Sequence, residues 1–400
     1  MIVELLDLVA RWVHVIAGIM WVGNSLLFNW LDRNLRPASF GEGGAAGASL
    51  GQIWLLHSGA FYFVDKNLLG GRALPEPLHW FKWQAYTTWL SGAALLVVVY
   101  YTGGRAALAD GTVAALTHPQ AVGVGAAAIV GGWMLYEAMQ RFVAPRAPAA
   151  ALATWVTGLT LIAVALTQLL SGRAAFLHVG AMLGTIMAAN VFFTIVPSQR
   201  ELVASVAEGR GASAVVSARA KRVSVHNNYF TFPVIVLMVS SHFSAAYGGR
   251  LSWLLLLVLL AAGAAVRHVL NIRFGMPAWR PVLAATLTVS LVGLFAILHA
   301  QTPAPVPLPD SAAPVSFAEA RHVIDRRCAA CHSRHPSDFT FGVAPAGVMF
   351  DTPEQVVAQA RRIEQRAVVM RTMPPANRTR ITDDERALLG RWIAQGALLR

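Results

Sequence analysis

Cys328-Ala329-Ala330-Cys331-His332 is the run whose chemistry is most narrowly specified. Two thiols at this spacing can form thioethers with the two vinyl groups of one haem. The histidine that follows can then turn onto the iron, so the motif reads as a site of covalent haem c attachment. Cys328 and Cys331 are the only cysteines in the chain. With two thiols so close in sequence, no disulfide framework is available to staple the fold.

An iron held by His332 needs a second axial ligand from later in the chain. Met349, Met370, Met373 and His335 are the candidates. The run Thr372-Met373-Pro374-Pro375-Ala376-Asn377 precedes a terminal helical pattern ending in Trp392-Ile393. It is similar to the Met-Pro loop of small class I cytochromes c. That selects Met373 as ligand, with Met370 second, so His332 and Met373 form the expected iron-binding pair. A thioether ligand raises the potential of the iron and suits an electron acceptor.

Other chemistry-bearing residues lie within apolar surroundings, where ionisable groups are costly and usually functional. The histidines sort into two layers: His14, His118, His178, His242 and His299 in one, and His57, His79, His226 and His268 in the other. Trp12-Val13-His14-Val15 leading to Asn24 resembles Phe176-Leu177-His178-Val179 leading to Asn190, a hint of repeated halves. His14 and His178 are accordingly candidate ligands of a second haem, of the b type. The second layer also holds His57 with Tyr62, Asp65 and Lys66, then His79-Trp80-Phe81-Lys82-Trp83-Gln84 with Tyr86, and His226-Asn227-Asn228-Tyr229.

Helices long enough to cross a bilayer must position these residues. Apolar stretches of about 20 residues suffice for that, and eight are expected, at roughly 8–31, 80–101, 121–143, 151–171, 174–197, 228–247, 251–272 and 281–300. The segment 52–70 is apolar but carries His57, Asp65 and Lys66, and reads as an interfacial or re-entrant piece. A proline-rich linker over 301–315 follows the last span. Residues 316–400 then show amphipathic helical patterns at about 316–330, 353–368 and 383–396. The fold class is therefore all-α: an eight-span helix bundle over 1–300, the linker, and a small cytochrome c domain of class I over 316–400.

Apolar residues make up 56% of the chain and charged residues 13%, which excludes a set of water-soluble domains. The net charge of +12 would suggest nucleic acid, but the basic residues sit between apolar runs. Arg33, Arg36, Lys66, Arg72, Lys82, Arg141, Arg146, Arg200, Arg210, Arg219, Lys221, Arg222, Arg267, Arg273 and Arg280 fall on one side of the expected bundle. Arg11, Arg105, Arg173 and Arg250 fall on the other. This is the positive-inside bias of a bacterial inner-membrane protein with the lipid bilayer as its partner and no nucleic acid. Glu4 and Asp7, with no basic cluster before the first apolar run, suggest a translocated N-terminus instead of a signal peptide. Eight spans then return residue 301 to the periplasmic side, where haem c is attached.

His79-Trp80-Phe81-Lys82-Trp83, Tyr86-Thr87-Thr88-Trp89, His178-Val179-Gly180-Ala181-Met182, Ala189-Asn190-Val191-Phe192-Phe193 and His226-Asn227-Asn228-Tyr229 together resemble the membrane-bound cytochrome c urate oxidases (urate hydroxylases) of bacteria. The resemblance covers essentially the whole chain. It implies oxidation of urate to 5-hydroxyisourate, with electrons leaving through haem c to a cytochrome of the respiratory chain and without peroxide formation. For a planar monoanion such as urate, Lys82 or Lys66 would supply a cation, and Asn227, Asn228 and Gln84 would meet the ring edge. Tyr86 or Tyr229 would stack on the ring, and His79 or His226 would take a proton. His79, Lys82, His226 and Asn227 are the expected catalytic set. The alternative from the residues alone is a b-haem quinol or cytochrome electron carrier with no small-molecule chemistry.

Overall fold

The computed structural model describes the chain except residues 1, 38–48, 68, 70–72, 103–107, 211–213, 241, 302–313, 339–342 and 400. Most of the expected linker at 301–315 lies outside the described residues. The helices are α1 (Ile2–Asn34), α2 (Trp83–Leu96), α3 (His118–Ala138), α4 (Pro148–Leu169), α5 (Gly172–Asn190), α6 (Val196–Ala207), α7 (Ala214–Ser240), α8 (Ser244–Tyr247), α9 (Ser252–Ile272) and α10 (Trp279–Gln301). After these come α11 (Phe317–Arg327), α12 (Pro353–Ala358), α13 (Ala360–Ile363) and α14 (Asp383–Ala394).

Six helical stretches are long and apolar enough to cross a membrane: Leu5–Asn34, His118–Val143, Pro148–Leu169, Gly172–Ala207, Ser252–Ile272 and Trp279–Gln301. These are the dimensions and compositions of a membrane protein. The second and sixth expected spans are also helical, as α2 and α7, but they do not join the six. In α2, Gln84, Thr87, Thr88 and Ser91 dilute the apolar run, and in α7 Arg219, Lys221, Arg222, His226, Asn227 and Asn228 do so. Small residues along α5 allow close approach of its neighbours. Gly180 faces Leu237 and Met238 of α7 at 3.2 and 3.0 Å from where a Cβ would stand. Most of the α5 stretch is buried, whereas none of the apolar α10 is.

Several helices contain wide π-turns: Val97–Tyr101 after α2, Met139–Val143 after α3, and Val191–Ile195 between α5 and α6. The last has a visible cause. Pro197, at the start of α6, has no N–H to donate to the preceding turn, and the helix relaxes locally before continuing.

The segment 52–70 is not a span, but it is not helical either. It belongs to an antiparallel hairpin of β1 (Ser49–His57) and β2 (Ala60–Asn67), a correction to the all-α expectation. Ser58 and Gly59 both have positive φ, 52° and 75°, as a two-residue hairpin turn with the right twist requires. Trp54 and Phe63 are cross-strand partners with ring centroids 4.9 Å apart. Such aromatic pairs are what stabilise a two-stranded ribbon.

The chain forms two compact units. One comprises Met1–Ala94, Leu183–Phe232 and Ala264–Thr286, and the other Leu95–Met182, Pro233–Gly263 and Leu287–Arg400. Within the second unit, the C-terminal helices close a core of their own around Ala320, Ile324, Phe350, Val356, Leu389 and Trp392. Their starts are written in sequence: Ser316 with Glu319, Thr352 with Gln355, and Thr382 with Glu385 each form a reciprocal capping box. Each box satisfies two amides that a helix start leaves unpaired.

Candidate functional site

Helix α11 ends at Arg327, and Cys328 caps it. The Cys328 carbonyl accepts from both the Cys331 and His332 amides, at 3.2 and 3.0 Å, which curls the motif into one tight turn. His332 Nδ1 lies 2.9 Å from the Val348 carbonyl. Donation through that nitrogen leaves Nε2 as the free ligand atom, the usual way a metal-binding histidine is oriented. Burial pushes the Cys328 thiol up to about 12. Cys331 is raised by burial and by the neighbouring Asp338 carboxylate. Both thiols are free of a disulfide.

Across the same domain, the Met373 amide donates to the Arg366 carbonyl at 3.0 Å, and its carbonyl accepts from Arg386 Nη1 at 2.9 Å. Arg386 is buried and also donates to the Ala367 carbonyl. Met373 packs on the domain core together with Cys328, whereas Met370 and Met349 are not among the described residues that do so. His335 is exposed. A freed imidazole nitrogen, paired thiols and a thioether secured at both backbone atoms suit a covalently held haem. Cys328 and Cys331 would carry it, and His332 and Met373 would ligate its iron.

The histidines chosen for a second haem do not suit one. His178 Nδ1 bonds the Ala174 carbonyl at 2.7 Å and Nε2 bonds the Tyr101 hydroxyl at 3.0 Å, so neither nitrogen is left for iron. The ring also fills the space over Gly125, where a Cβ would stand 2.7 Å from Cδ2. His14 Nδ1 bonds the Thr88 carbonyl at 2.9 Å, and its ring lies over Gly92. His178 is therefore a helix-packing group, and a haem held by both histidines would lack one of its two ligands although His14 keeps Nε2.

The expected catalytic residues are divided among local contacts. His79 meets the Phe81 ring edge-on at 4.6 Å. The Lys82 ammonium lies 5.7 and 5.6 Å from the Trp80 and Trp83 rings, which leaves its charge without a described carboxylate partner. Lys66 is instead paired to Asp32 at 2.6 Å. His226 lies near Phe230, with ring centroids 6.5 Å apart. Asn227 accepts from Asn190 at 2.8 Å and donates to the Met187 carbonyl at 2.9 Å, so its amide clips α7 to α5. A groove of about 620 Å³ lined by Leu74, Pro75, Glu76, Pro77, Leu78, Trp80 and Val203 opens beside the His79 run.

A second polar group in the first unit lies partly outside the sequence expectation. Asn228 Oδ1 accepts from Arg267 Nε at 3.0 Å and from Asn271 Nδ2 at 2.7 Å. Arg267 and Asn271 belong to α9, and all three residues are buried. Arg267 had registered only as a topology-setting charge, and Asn271 not at all. The available signal was an arginine inside the apolar run Val258–Val269.

No curated protein and no solved structure matches the chain. The family model described as the urate oxidase N-terminal family matches residues 1–298. That match spans the hairpin, the membrane-length helices and both polar groups just described, and it carries a urate-related oxidoreductase activity. The chain belongs to the urate oxidase N-terminal family.

Proposed function

We propose that the chain is a membrane-bound urate oxidase that converts urate to 5-hydroxyisourate and delivers the electrons to a haem c carried by its own C-terminal domain. The observation that carries this reading is the family match over 1–298 in one chain with a C-x-x-C-H turn whose histidine is already oriented by Val348. The reaction balances as urate plus water giving 5-hydroxyisourate, two protons and two electrons. When bound, the haem supplies a one-electron acceptor, and its iron would pass electrons on to a cytochrome of the respiratory chain.

The remaining roles fall to side chains. His79 and His226 are the proposed bases, since an imidazole nitrogen can accept the proton released on oxidation. Lys82, without a carboxylate neighbour among the described residues, attracts the monoanionic substrate. Asn227 holds α7 against α5, and thereby positions His226 and Asn228 on either side of it. The protein lies in the bacterial inner membrane with its N-terminus and C-terminal domain on the periplasmic side.

Anaerobic addition of urate to purified, oxidised protein should reduce the haem c absorption band without producing peroxide. An unchanged band would overturn the reading. The alternative of a pure b-haem carrier is disfavoured by the two engaged nitrogens of His178. A pyridine haemochrome spectrum with b-type haem would revive it.

A further inference from the structure

Arg267 is 3% exposed in the last two turns of α9, following a long run of Leu, Val, Ala and Gly and followed at once by His268. A guanidinium cannot shed its proton, even in apolar surroundings. Among the described residues no carboxylate pairs with it, and its remaining contact is with the Phe232 ring, 5.4 Å from the guanidinium carbon. An unpaired charge in a membrane-spanning helix is expensive and marks a binding or transport function.

The neighbours sharpen this. Asn228 Oδ1 is saturated by Arg267 Nε and Asn271 Nδ2. Three atoms are then left over, each buried and without a partner: Arg267 Nη2, Asn228 Nδ2 and Asn271 Oδ1. Buried polar atoms are rarely left unsatisfied, and several in one place call for an explanation. A merely structural clip between α7 and α9 would need neither the positive charge nor the three spare groups.

We propose that Arg267, Asn228 and Asn271 form the anion-binding subsite for the substrate, holding the carbonyl–NH–carbonyl edge of a planar heterocyclic monoanion. The two spare donors match the two ring carbonyl oxygens, and the spare acceptor matches the ring N–H between them. The substrate's negative charge is the counter-ion that no described residue provides for Arg267. This assignment rests on the urate reading above and names the residues that would recognise the urate ring. The three groups are shut off from bulk solvent, so binding requires α7 to shift against α9. The backbone of α7 already lacks one hydrogen bond at Pro233, which lowers the cost of such a shift.

The test uses full-length protein with its haem chemically reduced beforehand, so that urate binds without being oxidised. Arg267→Gln keeps a donor for Asn228 Oδ1 but removes the charge. Its urate affinity, measured by equilibrium dialysis, should fall roughly 10- to 100-fold, the range for losing a charged hydrogen bond. Haem content and thermal midpoint should stay at wild-type values. Asn271→Ala should also weaken binding, and Arg267→Lys should retain more affinity than Arg267→Gln because the charge remains. Unchanged affinity in Arg267→Gln with a lowered midpoint would make the arginine a helix clip and overturn the assignment, while urate-driven haem reduction in wild type kept the parent reading intact. Wild-type protein that neither binds urate nor is reduced by it would overturn both.

Discussion

At the scale of single residues, the C-terminal site turns on which nitrogen and which sulfur are left free. The Val348 carbonyl occupies Nδ1 of His332, and the Arg366 carbonyl with the Arg386 guanidinium secures the backbone of Met373 on both sides. Replacing Cys328 or Cys331 by Ala should abolish covalent haem while leaving membrane insertion unchanged, read from haem-stained gels of membrane fractions. Met373→Ala should lower the haem potential and remove the sulfur-to-iron charge-transfer band, and Met370→Ala should do neither. The reverse pattern in a redox titration would transfer the ligand role to Met370. His178 shows the opposite case, in which both nitrogens are used in packing. A histidine's type was visible in sequence, but its hydrogen-bond partners were not.

At the scale of elements, helix starts decide how firmly the C-terminal domain is held. Glu385 accepts from the Thr382 amide at 2.8 Å and pairs with Arg327 at 2.9 Å, joining α14 to α11. Burial acts to raise the Glu385 carboxyl. The Arg327 and Thr382 interactions outweigh it and hold the group below the ordinary carboxylate range. A folded value below the unfolded one means stability is present above the unfolded value, about pH 4.3, and is lost as pH falls through the folded one. Acid titration of the domain's helical signal should therefore show a loss below about pH 4, and Glu385→Gln should flatten it. An identical acid profile for wild type and variant would show that the pair does not govern this transition. The hairpin belongs to the same scale. Its Ser58-Gly59 turn and flanking aromatics were readable as a strand pair, but His57, Asp65 and Lys66 within an apolar stretch led to an interfacial or re-entrant reading instead.

At the scale of the whole molecule, the distribution of charge and the seat of the C-terminal domain make separate predictions. Reporter fusions at residue 210, between α6 and the basic start of α7, should be inactive as periplasmic reporters, and activity there would overturn the proposed orientation. Within the second unit, the C-terminal domain rests on the turn after α8. Arg366 donates to Ser244, and a Cβ on Gly248 would overlap Thr372 and stand 3.4 Å from the Met370 carbonyl. Gly248→Leu should therefore lift the methionine-bearing loop off this turn and make it more accessible to protease, with haem content unchanged. Limited proteolysis with wild-type kinetics would remove that contact from the account.

Covalent haem attachment demands contiguous residues, and an apolar run of membrane length is a local property. Cys328–His332 as a candidate attachment run and six of the membrane-length helices were therefore legible in the amino-acid order alone, whereas the capping boxes at Ser316, Thr352 and Thr382 are equally local but were not picked out. The two diluted helices were expected as spans, but the polar residues Gln84, Thr87, Thr88 and Ser91 in α2 and Arg219, Lys221, Arg222, His226, Asn227 and Asn228 in α7 keep them out of the strongly apolar set. Pairings between distant residues depend on how helices rotate and cross. Asn228 meets Arg267 and Asn271 across separations of 39 and 43 residues, and neither hydropathy nor spacing encodes which face of α9 turns toward α7. The same holds for His178 and Tyr101, 77 residues apart. Tertiary packing alone decided that Asn227 would clip two helices while Asn228 beside it kept an amide free, because successive helical residues point about 100° apart.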